Sequence, residues 1–364
     1  MNRKRVLIAG GYGAVGAQLA RILHDRHPDL ELVLGGRSAG KAAPFPSNRV
    51  QTVVVDTNAD DPLIHAGENI SLIINAVNDL DDRLLVSAVR RKIPLIDVTR
   101  WTEVFNQAIR TVEQEELHAP VVLSSGWMAG TASLFAMILS NSLQHVEVNI
   151  HALWSLRDKA GPDSAAFMDR MSIPFQVTES NMNRLVYPMT DPVKVHFPNG
   201  YTTPCYRLDT PDHVTLPHTS HIDSASFRIS FDSKVSTYAL AGLVKTGVWK
   251  MISGERFQPF RRKLLYNPGT GSAHHLVIQL KGMDAKGNDV KRTMTVSDPL
   301  GQTHMTALGA AVQAEKILMM PTDKPMAPGI YYPEHLFDDR MDMDAVTHFF
   351  QTIRRSSNPL LIQT

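Results

Sequence analysis

Residues 6–9, Val-Leu-Ile-Ala, run straight into Gly10-Gly11-Tyr12-Gly13-Ala14-Val15-Gly16, and the chain leaves that cluster with helical spacing of apolar residues. An apolar strand, a glycine turn and an amphipathic helix in immediate succession open a nucleotide-binding α/β fold. Within the cluster, Gly11, Gly13 and Gly16 satisfy G-x-G-x-x-G. In that pattern the first glycine allows the tight turn and the second lets a pyrophosphate approach the backbone. The third lets the helix pack close to its strand. Unpaired N–H groups and the positive dipole end at the helix start favour a phosphate pair. Gly11, Tyr12, Gly13, Ala14, Val15 and Gly16 are therefore the expected dinucleotide cradle. The alternative is a strand-to-helix turn that binds nothing.

The spacing predicts a first helix over 14–23, with Val15, Leu19, Ile22 and Leu23 on one side. A strand over 30–34 follows and stops at Gly35-Gly36-Arg37-Ser38. An acidic residue at this point would hold the ribose hydroxyls of NAD and repel the extra phosphate of NADP. None is present. Arg37 can pair with a 2′-phosphate and Ser38 can add a hydroxyl donor, and Gly36 beside them is counted with the cofactor-binding residues. NADP is the expected cofactor; a solvated arginine in a turn is the alternative.

Strands over 50–55 and 70–74 end in Asp56 and in Asn75-Ala76-Val77-Asn78. Carboxyl ends of parallel strands face the ligand crevice. Asp56 is expected at the adenine end, and Asn75, Ala76 and Val77 near the nicotinamide ribose. A helix over 84–91, a fifth strand over 93–98 containing Asp97, a helix over 102–118 and a sixth strand over 121–123 complete the alternation. That alternation argues a doubly wound parallel sheet.

In this order the chain resembles the saccharopine-dehydrogenase-like family of NADP-dependent oxidoreductases. The glycine loop, Gly36-Arg37-Ser38 and Asn75-Ala76-Val77 stand where that family has its landmarks. Lys92-Ile93-Pro94-Leu95-Ile96-Asp97 is similar to its stretch ending Tyr-Val-Asp, and Gly126-Trp127-Met128-Ala129-Gly130 to its Gly-x-x-Pro-Gly turn. Downstream, 305–311 and Pro328-Gly329-Ile330-Tyr331-Tyr332-Pro333-Glu334 are similar to its closing helix and Gly-Val-x-x-Pro-Glu element. Ala129 and Asn78 depart from it, each standing where the family has proline. The resemblance implies hydride transfer, most directly to or from an imine or secondary-amine C–N bond of an amino-acid conjugate. An enoyl or carbonyl reductase of the same family is an alternative, as is a non-catalytic NADP-binding sensor or scaffold.

From about residue 140 the pattern turns to period two. Strands are expected over 145–153, 181–186, 193–197 and 226–231, and over 275–280 and 289–296 around the turn 282–287. The expected fold is a Rossmann-type doubly wound parallel sheet with an inserted α+β, mostly antiparallel second domain. Its boundaries are 1–139 for the NADP-binding domain and 140–302 for substrate binding and dimerisation. A helix over 303–319 returns to the nucleotide domain within a last segment, 303–364. The resemblance implies a homodimer through the inserted sheet. Residues 238–250, with Lys250, Arg256, Arg261, Arg262 and Lys263 behind them, read as a solvated helix face rather than a membrane-surface element.

Reduction of an imine or carbonyl needs a proton donor beside the hydride donor. Asp97, at a strand's carboxyl end, and His221 are the expected catalytic residues, with His151, His213, His218 and His304 as further candidates. Asp97 could instead cap the next helix. Arg228 can hold a substrate carboxylate bidentately. His218, His221 and Asp223 carry metal-ligating atoms, but Pro217 interrupts any helix that would align them, and no metal is expected. No tyrosine has a lysine four residues on, which removes the Tyr-x-x-x-Lys chemistry of short-chain dehydrogenases.

A formal net charge of +1 over 364 residues gives no global pull toward nucleic acid, so a small-molecule substrate is expected. The single cysteine, Cys205, forms no intramolecular disulfide and suits a reducing, cytoplasmic setting. Arg3-Lys4-Arg5 before an apolar run has the start of a secretion signal, but Gly10, Gly11 and Gly13 break that run at once. No uninterrupted apolar stretch is long enough to span a bilayer.

Overall fold

The computed structural model describes residues 3–38, 41–98, 100–159, 169–179, 182–219, 221–265, 269–321, 323–337, 340–354 and 360–363. The chain divides into two compact units, Met1–Thr131 with Thr303–Leu336, and Ala132–Gln302 with Phe337–Thr364. The expected boundary at 139/140 thus falls at 131/132. The last expected segment is split, its residues from 337 onward belonging to the second unit.

The first unit is built on strands β1 (Lys4–Ala9), β2 (Leu30–Gly36), β3 (Val50–Val54), β4 (Ile70–Asn75), β5 (Leu95–Asp97) and β6 (Pro120–Val122). They lie in the order β3-β2-β1-β4-β5-β6, with Gly329–Tyr331 added beyond β6, and every pairing is parallel. Val6–Ala9 and Leu72–Ile74 are fully buried. Parallel strands covered on both faces read as continuous apolar runs, and these do. The strand order reverses between β1 and β4, the switch point at which such sheets take ligands. Helix α1 (Gly16–Arg26) buries Gly16, Leu19, Ala20 and Leu23 and ends with His24 and Arg26 against the negative end of its dipole. Helix α2 is Arg83–Arg90. Helix α3 (Thr102–Val112) stops short of the expected 118, because Glu113, Glu115 and Glu116 follow, and carboxylates oppose a helix C-terminus.

The long helix Gln302–Met319 is tied to this sheet from Thr303 onward. Glu315 accepts from Arg26 Nε (2.5 Å), Arg26 Nη2 (3.1 Å) and His27 Nε2 (2.8 Å). Ser125 Oγ donates to Gln313 Oε1 at 2.7 Å and Thr131 Oγ1 to the Met305 carbonyl at 2.7 Å.

The second unit begins with helix α4 (Ala132–Ser140). Its sheet contains β7 (Gln144–Trp154), β10 (Val193–His196), β11 (Thr202–Arg207), β12 (Ile222–Phe231), β13 (His274–Met283) and β14 (Asp289–Asp298). A separate hairpin is formed by β8 (Phe175–Glu179) and β9 (Met182–Val186). The order is β10-β11-β12-β7-β13-β14, closed by Leu361–Gln363. All pairings are antiparallel except the central β12–β7 pair. The β13–β14 hairpin turns where expected, with Gly287 at φ 80° and Asp284 Oδ1 accepting from the N–H groups of Lys286 and Asn288 at 2.8 and 2.9 Å. Val148, Ile150, Phe227, Ile229, Leu276 and Ile278 form one buried face, and α4 packs on this sheet. Helix Arg340–Arg354 sets Phe350 against Phe135 of α4, ring centroids 4.6 Å apart, and Leu361–Gln363 pairs with Thr295–Ser297. These contacts carry residues 337–364 into the second unit. Among the described residues no helix is long and apolar enough to cross a membrane.

Candidate functional site

At the end of β1 the left-handed residue is Gly10, at φ 81°; the turn role expected of Gly11 falls one residue earlier. A Cβ on Gly10 would lie 2.5 Å from Val77 Cγ1 and 2.9 Å from the Ala76 carbonyl oxygen, so the β4 turn closes directly over it. A Cβ on Gly11 would meet Leu34 Cβ at 2.8 Å, and one on Gly16 would meet the Gly10 carbonyl oxygen at 2.2 Å. Gly16 thus lets α1 pack against its own strand. Gly13 differs: a Cβ there would meet only that same oxygen, at 3.1 Å, and the residue is exposed. Ala14, Val15 and Gly16 find no partner for their N–H groups among the described residues, and α1 has neither a side-chain cap nor an acidic residue in its first turn. Donors without acceptors at a helix start form an anion site.

At the end of β2, the Tyr12 ring lies over Gly36, where a Cβ would meet Tyr12 Cδ2 at 2.7 Å. The Lys41 ammonium stands 5.1 Å from the centre of that ring. Arg37 and Ser38 are exposed and make no hydrogen bond or ion pair among the described residues. Lys41 lies beyond the strand pattern and only the folded turn reveals it. Asp56 Oδ1 is engaged locally, accepting from the N–H and side-chain amide of Asn58 at 3.0 and 3.2 Å.

Register aligns Ala9 with Gly35 on one side and Asn75 on the other, and Asn75 with Asp97. Asn75 Nδ2 donates to Asp97 Oδ2 (3.3 Å), while Asn75 Oδ1 accepts from the Val77 N–H (3.2 Å). Asp97 Oδ2 also accepts from Arg100 Nε at 2.9 Å. Arg100 Nη1 reaches Asp82 Oδ1 at 2.5 Å and Nη2 stands 3.8 Å from Asp79 Oδ2. All four charged side chains are buried. Nothing in the sequence pattern marks Arg100, Asp79 or Asp82, because their relation is made only by the fold.

Burial pushes the Asp79 carboxyl up to about 6, helped by the nearby Asp97 charge and opposed by the N–H groups of Leu85 and Leu84 and by Arg100. An aspartate raised in the fold stays protonated after its unfolded counterpart has ionised, so its contribution is lost as pH rises from about 4 to about 6. Asp79→Asn is therefore expected to gain nothing over the wild type at pH 4 and up to about 3 kcal/mol above pH 7, by urea unfolding at both pH values. An equal gain at the two would sink this account.

The β6 turn holds two further left-handed residues, Ser124 at φ 61° and Ala129 at φ 55°. Ser124 Oγ is buried and has no hydrogen-bond partner among the described residues. Proline, locked near φ −65°, could not adopt the left-handed conformation that Ala129 takes here.

In the second unit Arg228 is buried on β12. Its Nη2 donates to Asp191 Oδ2 (2.9 Å), Nε to the Asp191 carbonyl (3.1 Å) and Nη1 to Ser226 Oγ (2.5 Å). Arg207, its register partner on β11, donates to the same carboxylate oxygen through Nε (2.9 Å) and Nη2 (2.5 Å). Burial alone would raise the Asp191 carboxyl, but the hydrogen bonds and charges of Arg228 and Arg207 outweigh it and hold it below the usual range. Beside them on β7, burial and then the Arg228 charge push His151 down to about 4, so its imidazole is neutral at pH 7.

His213 lies on a helical turn, His218 ends the short helix after it, and His221 stands just before β12. His221 bonds Ser140 Oγ through Nε2 at 2.9 Å and sits just before β12, roughly 20 Å along the strand from Arg228 at about 3.3 Å per residue. His213 forms part of a helical turn, Asp212–Thr215, that the sequence did not predict, and its ring nitrogens face the carbonyls of Leu208 and Ala225 at 2.9 and 3.1 Å. Asp223 pairs with His145 at 3.2 Å. Among the described residues no group of three or more His, Cys, Asp or Glu side chains is arranged to hold a metal ion.

The fold is similar to that of apo saccharopine dehydrogenase (L-Glu forming) from Saccharomyces cerevisiae, at 13% identity over 99% of each chain with a TM-score of 0.64. A meso-DAPDH mutant from Clostridium tetani matches at 10% identity over 92% of this chain and 94% of that one, TM-score 0.48. An amine dehydrogenase from Mycobacterium smegmatis matches at 13% identity over 90% and 94%, TM-score 0.47. No family model and no curated protein sequence matches the chain. The likeness to saccharopine dehydrogenase, read first from short motifs, thus extends to the whole fold: a Rossmann-type parallel sheet and a mixed second sheet.

Proposed function

We propose that the chain is an NADP(H)-dependent oxidoreductase acting on a C–N bond of a small amino-acid conjugate. The observation that carries the cofactor part is the glycine cradle, with three N–H donors that find no partner among the described residues, next to a β2 end followed by Arg37 and Ser38, with Lys41 over the Tyr12 ring. The donor set suits a pyrophosphate and a 2′-phosphate: N–H groups of Ala14, Val15 and Gly16 for the first, Arg37, Ser38 and Lys41 for the second. Gly11, Tyr12, Gly13 and Gly36 leave the backbone open to both, Asp56 stands toward the adenine, and Asn75, Ala76 and Val77 form the nicotinamide side. When bound, the reduced cofactor supplies hydride.

The substrate part rests on chemistry in the second unit and on the resemblance. Arg228 and Arg207 converge on one carboxylate oxygen of Asp191, a geometry that a substrate carboxylate can take over. Asp97 is already engaged by Arg100 and Asn75, which makes it an orienting group before it is a proton donor. That engagement also favours the second reading, a dinucleotide-binding sensor without turnover.

The test is to add NADPH or NADH with keto acids and amines, singly and together, and to follow the reduced-nicotinamide absorbance. Oxidation of NADPH only when keto acid and amine are both present is expected. Tight NADPH binding without turnover on imines, ketones or enoyl compounds would establish the sensor, and equal use of NADH would overturn the NADP assignment.

A further inference from the structure

We propose that Arg100 is a positioning residue for the nicotinamide side of the crevice, acting through Asp97 and Asn75 on the turn that closes over the glycine loop. The inference rests on the dinucleotide reading above and names what sets that site's geometry. The loop between β4 and α2, residues 76–82, has no regular secondary structure, yet it supplies the atoms that crowd Gly10. Arg100 holds both of its ends. At the far end Nη1 bonds Asp82, a residue in left-handed backbone at φ 57°, and also the Val104 carbonyl at 3.3 Å. At the near end Nε bonds Asp97 Oδ2, which accepts from Asn75 Nδ2, and Asn75 Oδ1 in turn accepts from the Val77 N–H.

The relay fixes the Asn75 amide in one orientation, since only its nitrogen can donate to the carboxylate and only its oxygen can accept from Val77. Val98 N–H on the Asn75 carbonyl (2.9 Å) and Ser125 N–H on the Asp97 carbonyl (2.8 Å) hold the two strand ends, so the remaining freedom lies in the side-chain chain itself. A guanidinium can address Asp97 and Asp82 at once because its donors diverge in a rigid plane; an ammonium is a single point charge and serves one at a time. Arg100 therefore sets how far Val77 stands above Gly10.

On that reading the adenosine half lies by the β2 end, with Arg37, Ser38 and Lys41, apart from these groups, which gives the experiment its contrast. Affinities for NADPH and for 2′,5′-ADP, which lacks the nicotinamide half, are measured by calorimetry for the wild type, Arg100→Lys and Asn75→Ala. Arg100→Lys is expected to weaken NADPH about tenfold or more, the scale of a charged hydrogen bond, and to leave 2′,5′-ADP within about twofold. Asn75→Ala cuts the last link while keeping the Arg100–Asp97 pair, and carries the same expectation if Arg100→Lys does not fold. Loss of both ligands by the same factor, or of neither, overturns the positioning role. A wild type that binds neither ligand overturns the dinucleotide reading itself, and the proposal with it.

Discussion

An Arg37→Asp protein is expected to bind NADPH about a hundredfold more weakly than the wild type, with NADH binding unchanged or improved. Arg37 is exposed and engaged with nothing among the described residues, so its replacement disturbs no internal contact. A bidentate contact from Arg37 to a 2′-phosphate would be worth about 1.5–3 kcal/mol, and a carboxylate in its place would add repulsion of about 1 kcal/mol in water. The same carboxylate can accept from the two ribose hydroxyls that NADH presents. Lys41 remains and limits the loss. Titration of both cofactors at one ionic strength decides the matter, since exposed charges are screened by salt. A parallel change in the two affinities would remove Arg37 from the site.

Gly16→Ala is expected to be the most damaging single methyl group in the first unit. The new Cβ would stand 2.2 Å from the Gly10 carbonyl oxygen and 2.8 Å from its carbon, both backbone atoms. Gly10 has little space beside it, because even a Cβ there would lie 2.5 Å from Val77 Cγ1 and 2.9 Å from the Ala76 carbonyl oxygen. Overpacking of this kind costs about 3 kcal/mol, and displacing α1 would move the N–H groups proposed to hold the pyrophosphate. Urea unfolding and NADPH titration should both show the damage. Gly13→Ala is the control: with one neighbour at 3.1 Å it should spare most of the stability and affect binding alone. Wild-type behaviour of Gly16→Ala in both measurements would refute the close-packing account.

The parallel sheet was legible because Val6–Ala9 and Leu72–Ile74 are apolar without interruption, which is what two covered faces demand. The ends of β2 and β4 were legible for the same reason: a strand that stops marks a crevice. Helix α4 was not delimited, since Ala-Ser-Leu-Phe-Ala-Met-Ile-Leu-Ser is buried almost all round and carries no stripe to read. Strand β11 hid behind Pro204, a residue that argues against a strand inside a sheet. Arg100 was invisible for a different reason. Its partners Asp79 and Asp82 lie on the loop after β4 and Asp97 at the end of β5, and ion clusters leave no period in a sequence. The histidines between 212 and 223 show the opposite case, near in sequence but placed on a helical turn, the short helix after it and the start of a strand.

The strand Gly329–Tyr331 pairs with Pro120–Val122, and residues 132–302 of the second unit are made between them. On the ribosome, the nucleotide sheet must therefore wait with β6 as a bare edge while most of the second unit emerges. Unpaired edges are templates for intermolecular pairing, and long-range closure is slow. The two units differ in this respect only in degree, since the edge of β14 waits for Leu361–Gln363. Yield in a cell should thus depend on how long a nascent chain with two open sheets can be kept from its neighbours, and slowing synthesis ahead of residue 329 should increase aggregation before it affects the fold of the molecules that finish.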